Sequence, residues 1–281
     1  MAPIMTPCIS QAIMTSSSYD TVQRNLLTHL SPSFYSSNNN SSASTPIQQN
    51  LTNLFNQYRD SPKTEPDKIL IEGAQKYLSD LSIALDEVVH FALCDLLTVT
   101  SVGEFERENF TQGWLGASTS STSTSVPRSP ATAQPLDTAS RQAAHIASLR
   151  KRLTTDPAYF KTIYRSAFKL AKPENQRSVP MESALEFWRM FFSSTSGGIA
   201  WNTRGTKWLD LWLEFYETQH KRPVNKDLWN MVGELVIKTK EPNGESLEWW
   251  TEDSAWPMAI DEFISWVKEK RKDGGDAMDI S

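Results

Sequence analysis

The stretch YFKTIYRSAFKLAK, residues 159–172, decides the fold class. Phe160, Ile163, Ala167 and Ala171 recur in it at steps of three and four, the period that stacks side chains on one face of an α-helix. Pro157 stands just ahead, where its fixed backbone angle suits a first helical turn and its missing N–H costs nothing. The same period continues outward: Ile146, Leu149 and Leu153 upstream, Leu185, Trp188 and Phe192 after Pro180, and Ile71, Ala74, Leu78 and Leu81 nearer the N-terminus. The alternation of half-buried strands is nearly absent, with short candidates only at Ile69 to Ile71 and Ser101 to Gly103. The pattern predicts an all-α protein.

Toward the C-terminus Pro257 opens one more apolar-periodic run, and Lys268, Lys270, Arg271 and Lys272 are expected to close it, because cations suit the negative end of a helix. Nine of the ten tryptophans lie between Trp188 and Trp266, so the C-terminal half is expected to hold the aromatic part of the core. Residues 1–49 are rich in Ser, Asn, Thr and Pro, and Asp20 and Arg24 are their only formal charges. Such a segment buries too little apolar surface to offset the entropy of ordering. It reads as a disordered tail, as does 273–281. The Ser/Thr/Pro-rich stretch 116–138 reads as a disordered insertion within a folded domain of residues 50–272.

Composition excludes several functions. Cys8 and Cys94 are too few for a disulfide framework or a four-ligand Cys/His zinc site, and the four histidines are scattered. No run of 18 apolar residues exists, since Val88 to Leu97 is broken by His90 and Asp95, and no basic-then-apolar leader begins the chain. An intracellular protein, in cytoplasm or nucleus, is expected. A net charge of −5 argues against nucleic acid as a partner and for a basic protein. No hydrolase elbow, P-loop, dinucleotide fingerprint or cofactor motif is present. Cys94, the one candidate thiol nucleophile of the folded part, sits in the apolar run HFALCDLL, where burial makes a thiol inert. A hidden thiol enzyme would require the opposite.

The acids Asp60, Glu65 and Asp67 precede KILIEG and invite a comparison with calcium loops. Those loops place oxygen ligands at alternating positions, glycine sixth and a carboxylate twelfth. Pro62 and Pro66 interrupt that series and Lys63 takes a ligand's place, so the expectation is helix-loop-helix architecture without metal. A calcium-responsive adaptor is the alternative of another class. From Glu241 to Glu262 the chain has seven acids and no Lys or Arg. That run is either a solvated surface or a docking face for a Lys/Arg-rich partner.

Three groups of segments then carry a likeness: LFNQYRD, ILIEGAQKYLSDL and GEFERENFTQGW between Leu54 and Trp114; YFKTIYRSAFKLAK and ALEFWRMFF between Tyr159 and Phe192; LDLWLEFYETQHKRPVNKDLWN and EDSAWPMAIDEFISWV beyond. In this order they resemble the potentiating-neddylation domain of the defective-in-cullin-neddylation family across about residues 50–271. The resemblance implies a bundle of two EF-hand-like halves without calcium. It further implies a non-catalytic scaffold that brings a cullin to the conjugating enzyme charged with the ubiquitin-like modifier of neddylation. The cullin-binding patch it implies is Asp227 in KDLW, Ala255 in SAWP and Asp261 in IDEF. Asp227 follows Asn225 near a helix start, where an acid is stabilising anyway, whereas Asp261 has no such local reason. Ala255 is read as a small residue permitting close approach, with Trp256 buried beneath it.

The resemblance also implies a hydrophobic pocket for the acetylated N-terminal methionine of the conjugating enzyme, at Ile71, Leu93, Cys94, Leu97, Phe105, Leu170, Phe187 and Met190. All eight are apolar, as a thioether and an acetyl group require, though for each residue taken singly ordinary core packing is the stronger explanation, since the spacing shows only that it faces inward. Against the family pattern, no ubiquitin-binding helical domain is recognisable before residue 50, which speaks against ubiquitin binding. Residues 193–206 (SSTSGGIAWNTRGT) read as a second insertion, placed to alter partner selectivity near Met190.

Overall fold

Thr45 and Gln48 form a capping box at the start of helix α1 (Pro46–Gln57), each side chain satisfying the other's backbone N–H. The expected tail boundary near residue 50 therefore falls inside a helix, because a local polar cap can start one in a weakly apolar sequence. The computed structural model describes residues 45–120, 134–251 and 253–276; residues 1–44 of the expected tail, the centre of the first expected insertion and 277–281 lie outside them. Two units divide the chain, one of residues up to 82 with 96–143, the other of 83–95 with 144 onward.

In the first unit follow strand β1 (Lys68–Ile69), helix α2 (Ile71–Asp80), strand β2 (Phe105–Glu106) and helix α4 (Arg107–Ser120). The two strands pair antiparallel, Ile69 opposite Phe105; β1 shares only Ile69 with the Ile69 to Ile71 expectation, Ile71 opening the next helix instead, while Ser101 to Gly103 is a turn. Leu70, the N-cap of α2, has no side-chain bond to offer. Asp60 does the capping from ten residues away: its Oδ2 accepts from the Leu70 N–H at 2.7 Å, and its Oδ1 accepts from the Gly73 N–H. Asp67 is held by Arg107 at 2.7 Å. Two of the three acids that suggested a calcium loop are thus engaged within the protein. Leu51, Leu54 and Phe55 of α1 are buried, and the Phe55 ring meets Phe110 of α4 at 5.4 Å.

The centre of this unit is polar but satisfied. Trp114 Nε1–H donates to the Tyr77 hydroxyl at 2.9 Å, that hydroxyl donates to Gln142 Oε1 at 2.7 Å, and Gln142 Nε2 donates to the Leu136 carbonyl at 3.0 Å. Burial raises the Tyr77 phenol well above its ordinary pKa. The ends of the expected 116–138 insertion belong to the fold: Gly116 to Ser120 prolong α4, and Leu136 and Asp137 are buried. Asp137 binds Arg141 at 2.7 Å and Asn50 at 2.8 Å, a use that composition alone does not disclose.

Helix α3 (Val89–Leu96) belongs to the second unit up to Asp95, and helix α5 (Ala139–Thr155) runs from the first unit into the second. Then come α6 (Pro157–Ala171), α7 (Met181–Phe191), α8 (Trp208–Phe215), a π-helical turn (Tyr216–His220), α9 (Lys226–Thr239), a 3₁₀ turn (Gly244–Ser246) and α10 (Met258–Asp276). Asp156 caps α6, accepting from the Tyr159 N–H at 3.0 Å, and Pro157 takes the first turn as expected. Pro180 is instead the N-cap of α7. α10 runs on past Lys272 to Asp276, so the four cations lie within it rather than at its end. No helix among the described residues is long and apolar enough to cross a membrane.

Tyr164 is the junction of α6, α7 and α9. Its ring stacks on Trp229 at 5.0 Å and 8°. Its hydroxyl donates to the Trp229 carbonyl at 2.8 Å and accepts from Trp188 Nε1–H at 3.0 Å. The approach requires glycine in the facing turn of α9: a Cβ at Gly233 would stand 2.8 Å from Tyr164 Cε1. Alanine there gains about 1 kcal/mol of helix propensity but forces a stacked, doubly bonded ring aside, and such overpacking costs about 1–3 kcal/mol. Gly233→Ala is expected to lose about 1 kcal/mol net, read as an earlier urea midpoint at unchanged slope. A later midpoint would show that the ring yields.

The second expected insertion is part of the core. Trp201 is fully buried, touches the rings of Phe192 and Trp212, and donates through Nε1 to Thr239 Oγ1 at 2.8 Å. The backbone N–H groups of Ile199 and Trp201 donate to the carbonyls of Phe191 and Phe192, each at 3.0 Å, tying the segment to the end of α7. A Ser/Thr/Gly composition hid one anchoring ring.

Candidate acidic docking face

Five apolar residues of α10, Ala259, Ile260, Phe263, Ile264 and Val267, are buried and fix how the helix lies. Its other side then carries Asp261, Glu262, Ser265 and Glu269, which line a groove of about 570 Å³ together with Phe215, Gln219, Trp250 and Trp266. The opposite wall depends on the π-helical turn, which ends at Lys221 in the left-handed region (φ 49°). That wider turn sets His220 beside α10, where Nδ1 lies 3.0 Å from Glu262 Oε2. The arrangement links α8 to α10 by a polar contact besides their packed rings, Trp212 and Phe263 at 5.0 Å.

The structure places the three predicted patch residues on separate segments of this unit. Asp227 is exposed in the first turn of α9, where the Asn225 side chain accepts from the Leu228 N–H at 2.8 Å as the N-cap. That agrees with the local role expected of it. Ala255 is exposed in the loop before α10, close in sequence to Met258, an exposed large apolar side chain at 59%. Trp256 is not buried beneath Ala255; it is half-buried and meets Trp249 at 5.6 Å. Asp261, expected to have no local reason, has two: it lies in the first turn of α10, and its Oδ1 accepts from Trp250 Nε1–H at 2.7 Å. The bond spans an irregular loop, so the spacing could not reveal it. It fixes one carboxylate oxygen of a half-buried side chain.

The eight predicted pocket residues divide between the units. Ile71, Leu97 and Phe105 are in the first; Leu93, Cys94, Leu170, Phe187 and Met190 are in the second. Leu93, Cys94, Leu97, Phe105 and Met190 are buried, while Ile71, Leu170 and Phe187 keep some surface. In the second unit Phe187 packs on Phe91 at 5.3 Å and on Trp229 at 5.7 Å. Burial pushes the Cys94 thiol up to about 12, with Asp95 adding to it, so at neutral pH the sulfur is a packed thiol rather than a nucleophile. Groove residues Phe215, Gln219, Trp266 and Glu269 were missed by sequence reasoning, and the aromatic content of α8 and α10 was the only hint.

Fold and surface together define a class: an all-α domain with an acidic face in which tryptophans are set. A family model described as Cullin binding matches residues 141–266. Defective in cullin neddylation protein 1 of Pyricularia oryzae is 30% identical over 252 residues, covering 84% of this chain and 81% of that protein. The protein of the same name in Yarrowia lipolytica is 30% identical, covering 77% of each. DCN1-like protein 3 of Bos taurus is 27% identical, covering 81% of this chain and 65% of that protein. The chain belongs to the defective-in-cullin-neddylation family.

Proposed function

We propose that this protein acts in cullin neddylation as a scaffold, binding a cullin through Asp227, Ala255 and Asp261 and speeding transfer of the modifier from its conjugating enzyme. The observation that carries the reading is Asp261: its carboxylate is oriented by a tryptophan N–H, on a face whose acids have few cationic partners of their own. Orientation before binding lowers the entropic cost of a charged contact, and complementary charge steers a basic partner into register. Rate enhancement then comes from holding nucleophile and thioester together, which converts a two-body encounter into a positioned reaction. No nucleophile of this chain is needed, in keeping with the protonated Cys94.

The conjugating enzyme is proposed to dock by its acetylated N-terminal methionine against apolar residues of the predicted set, of which Leu170 and Phe187 of the second unit keep some surface. An acetylated terminus fits an apolar site because a free ammonium would have to be desolvated there. Reconstituted modifier transfer onto a purified cullin tests the whole reading. Adding the protein is expected to raise the initial rate at least about tenfold, well within what positioning can supply. A rate unchanged across cullin and conjugating-enzyme pairs would reject it.

A further inference from the structure

The groove beside Asp261 has a chemistry the three-residue patch does not account for. Three rings, Phe215, Trp250 and Trp266, and three carboxylates, Asp261, Glu262 and Glu269, share its lining. Among the described residues none of these carboxylates forms an ion pair with a lysine or arginine. Asp261 bonds an indole N–H, Glu262 lies against His220, and Glu269 has no ion pair. These three acids repel one another, and the neighbouring lysines engage rings and Glu214 rather than these carboxylates, so a cation bonding them directly from outside would lower that cost. The rings around them already attract cations: Lys268 sits 4.4 Å from the Trp250 centroid and Lys270 4.5 Å from that of Trp266. The Lys270 ammonium is itself bonded to Glu214 outside the groove, at 2.5 Å.

We propose that this groove receives an arginine side chain of the basic protein held by Asp227, Ala255 and Asp261, an inference that rests on that reading of the face. Asp261 belongs to both, so groove and patch are continuous. The choice of arginine follows from the lining. A planar guanidinium stacks on Trp and Phe faces and presents N–H pairs that match carboxylates two at a time, whereas an ammonium is a compact, strongly hydrated point charge. At about 570 Å³ the groove has room for the whole side chain with its stem along the rings.

Calorimetry with the full chain and a purified cullin tests this through Ser265→Trp, which fills the groove from an exposed position of α10, and Glu269→Lys, which reverses the unpaired acid. Each is expected to weaken binding about tenfold or more. One cullin arginine should also exist whose change to lysine costs about as much, and whose effect disappears in the Ser265→Trp background, as a double-mutant cycle reports for groups in contact. If circular dichroism shows that Ser265→Trp disturbs the fold, the cycle is run with Glu269→Lys. Wild-type affinity in both variants, while Asp227→Lys/Asp261→Lys still loses binding, overturns the groove and leaves the face standing. Loss of affinity coupled to no arginine also overturns it. Failure of the unaltered chain to bind the cullin removes the reading of the face, and the groove with it.

Discussion

Replacing Asp227 and Asp261 together by lysine is expected to weaken cullin binding by about 100-fold or more, since placing like charges across an interface costs several kcal/mol and each ~1.4 kcal/mol is a factor of ten. The fold should tolerate it. Asp227 is exposed, and its favourable position in the first turn of α9 is worth only about 0.3–1 kcal/mol. Asp261 is more deeply engaged, because its loss leaves Trp250 Nε1–H without its acceptor. Asp227→Asn/Asp261→Asn separates the two effects: asparagine can still accept from the indole but carries no charge. If charge complementarity holds the cullin, the asparagine pair loses part of the affinity and the lysine pair nearly all, with matching thermal melts. Equal binding by wild type and the lysine pair in a calorimetric titration would exclude this face as the contact.

Charge reversal also predicts a particular dependence on salt. Wild-type affinity should fall as ionic strength rises, since part of the attraction acts between exposed groups. In the lysine pair the remaining weak binding should strengthen with salt, because what is screened there is repulsion. A wild-type affinity indifferent to salt would mean that Ala255, Met258 and the part-exposed tryptophans provide the contact instead.

The helices were legible because their apolar period is strong: Phe160, Ile163, Ala167 and Ala171 are all buried where the spacing put them. The helix start at Asn225 was legible too, but the Thr45–Gln48 capping box was not, because it lies in a stretch whose composition reads as tail. What escaped were contacts that close over irregular backbone. The cap that Asp60 provides to α2 spans ten to thirteen residues and two prolines, so the same acids read more naturally as remnants of a calcium loop. The Trp250 to Asp261 bond crosses a loop whose shape no local preference fixes. The π-helical turn carries no recognisable signal, since one extra residue in a single turn at the end of a short helix leaves the apolar period before it unchanged. The groove follows from those last two features, and so the patch residues could be named from motifs while the cavity beside them could not.

Trp201→Ala is expected to cost about 4 kcal/mol, at the level of complete removal of a buried large aromatic, and to do so from within a segment that reads as an insertion against the family pattern. The side chain is fully buried, so truncation leaves a cavity bounded by Phe192 and Trp212. Cavity and lost transfer energy add. Trp201→Phe keeps a ring but not the Nε1–H bond to Thr239 Oγ1. That hydroxyl still donates within α9, to the Leu235 or Val236 carbonyl, so a smaller loss of about 1–2 kcal/mol is expected there. Were residues 193–206 an appendage, both variants would lie within about 0.5 kcal/mol of wild type, as surface substitutions do. The difference bears on function. Trp201 touches Trp212, and Trp212 packs edge-on against Phe263 of α10, whose outward side carries Asp261 and Glu262. A cavity at one end of that row loosens the support of the acidic face at the other, in a core dense enough to transmit strain. Trp201→Ala is therefore expected to lower the urea midpoint and also to weaken cullin binding below it, whereas a surface loop would change neither.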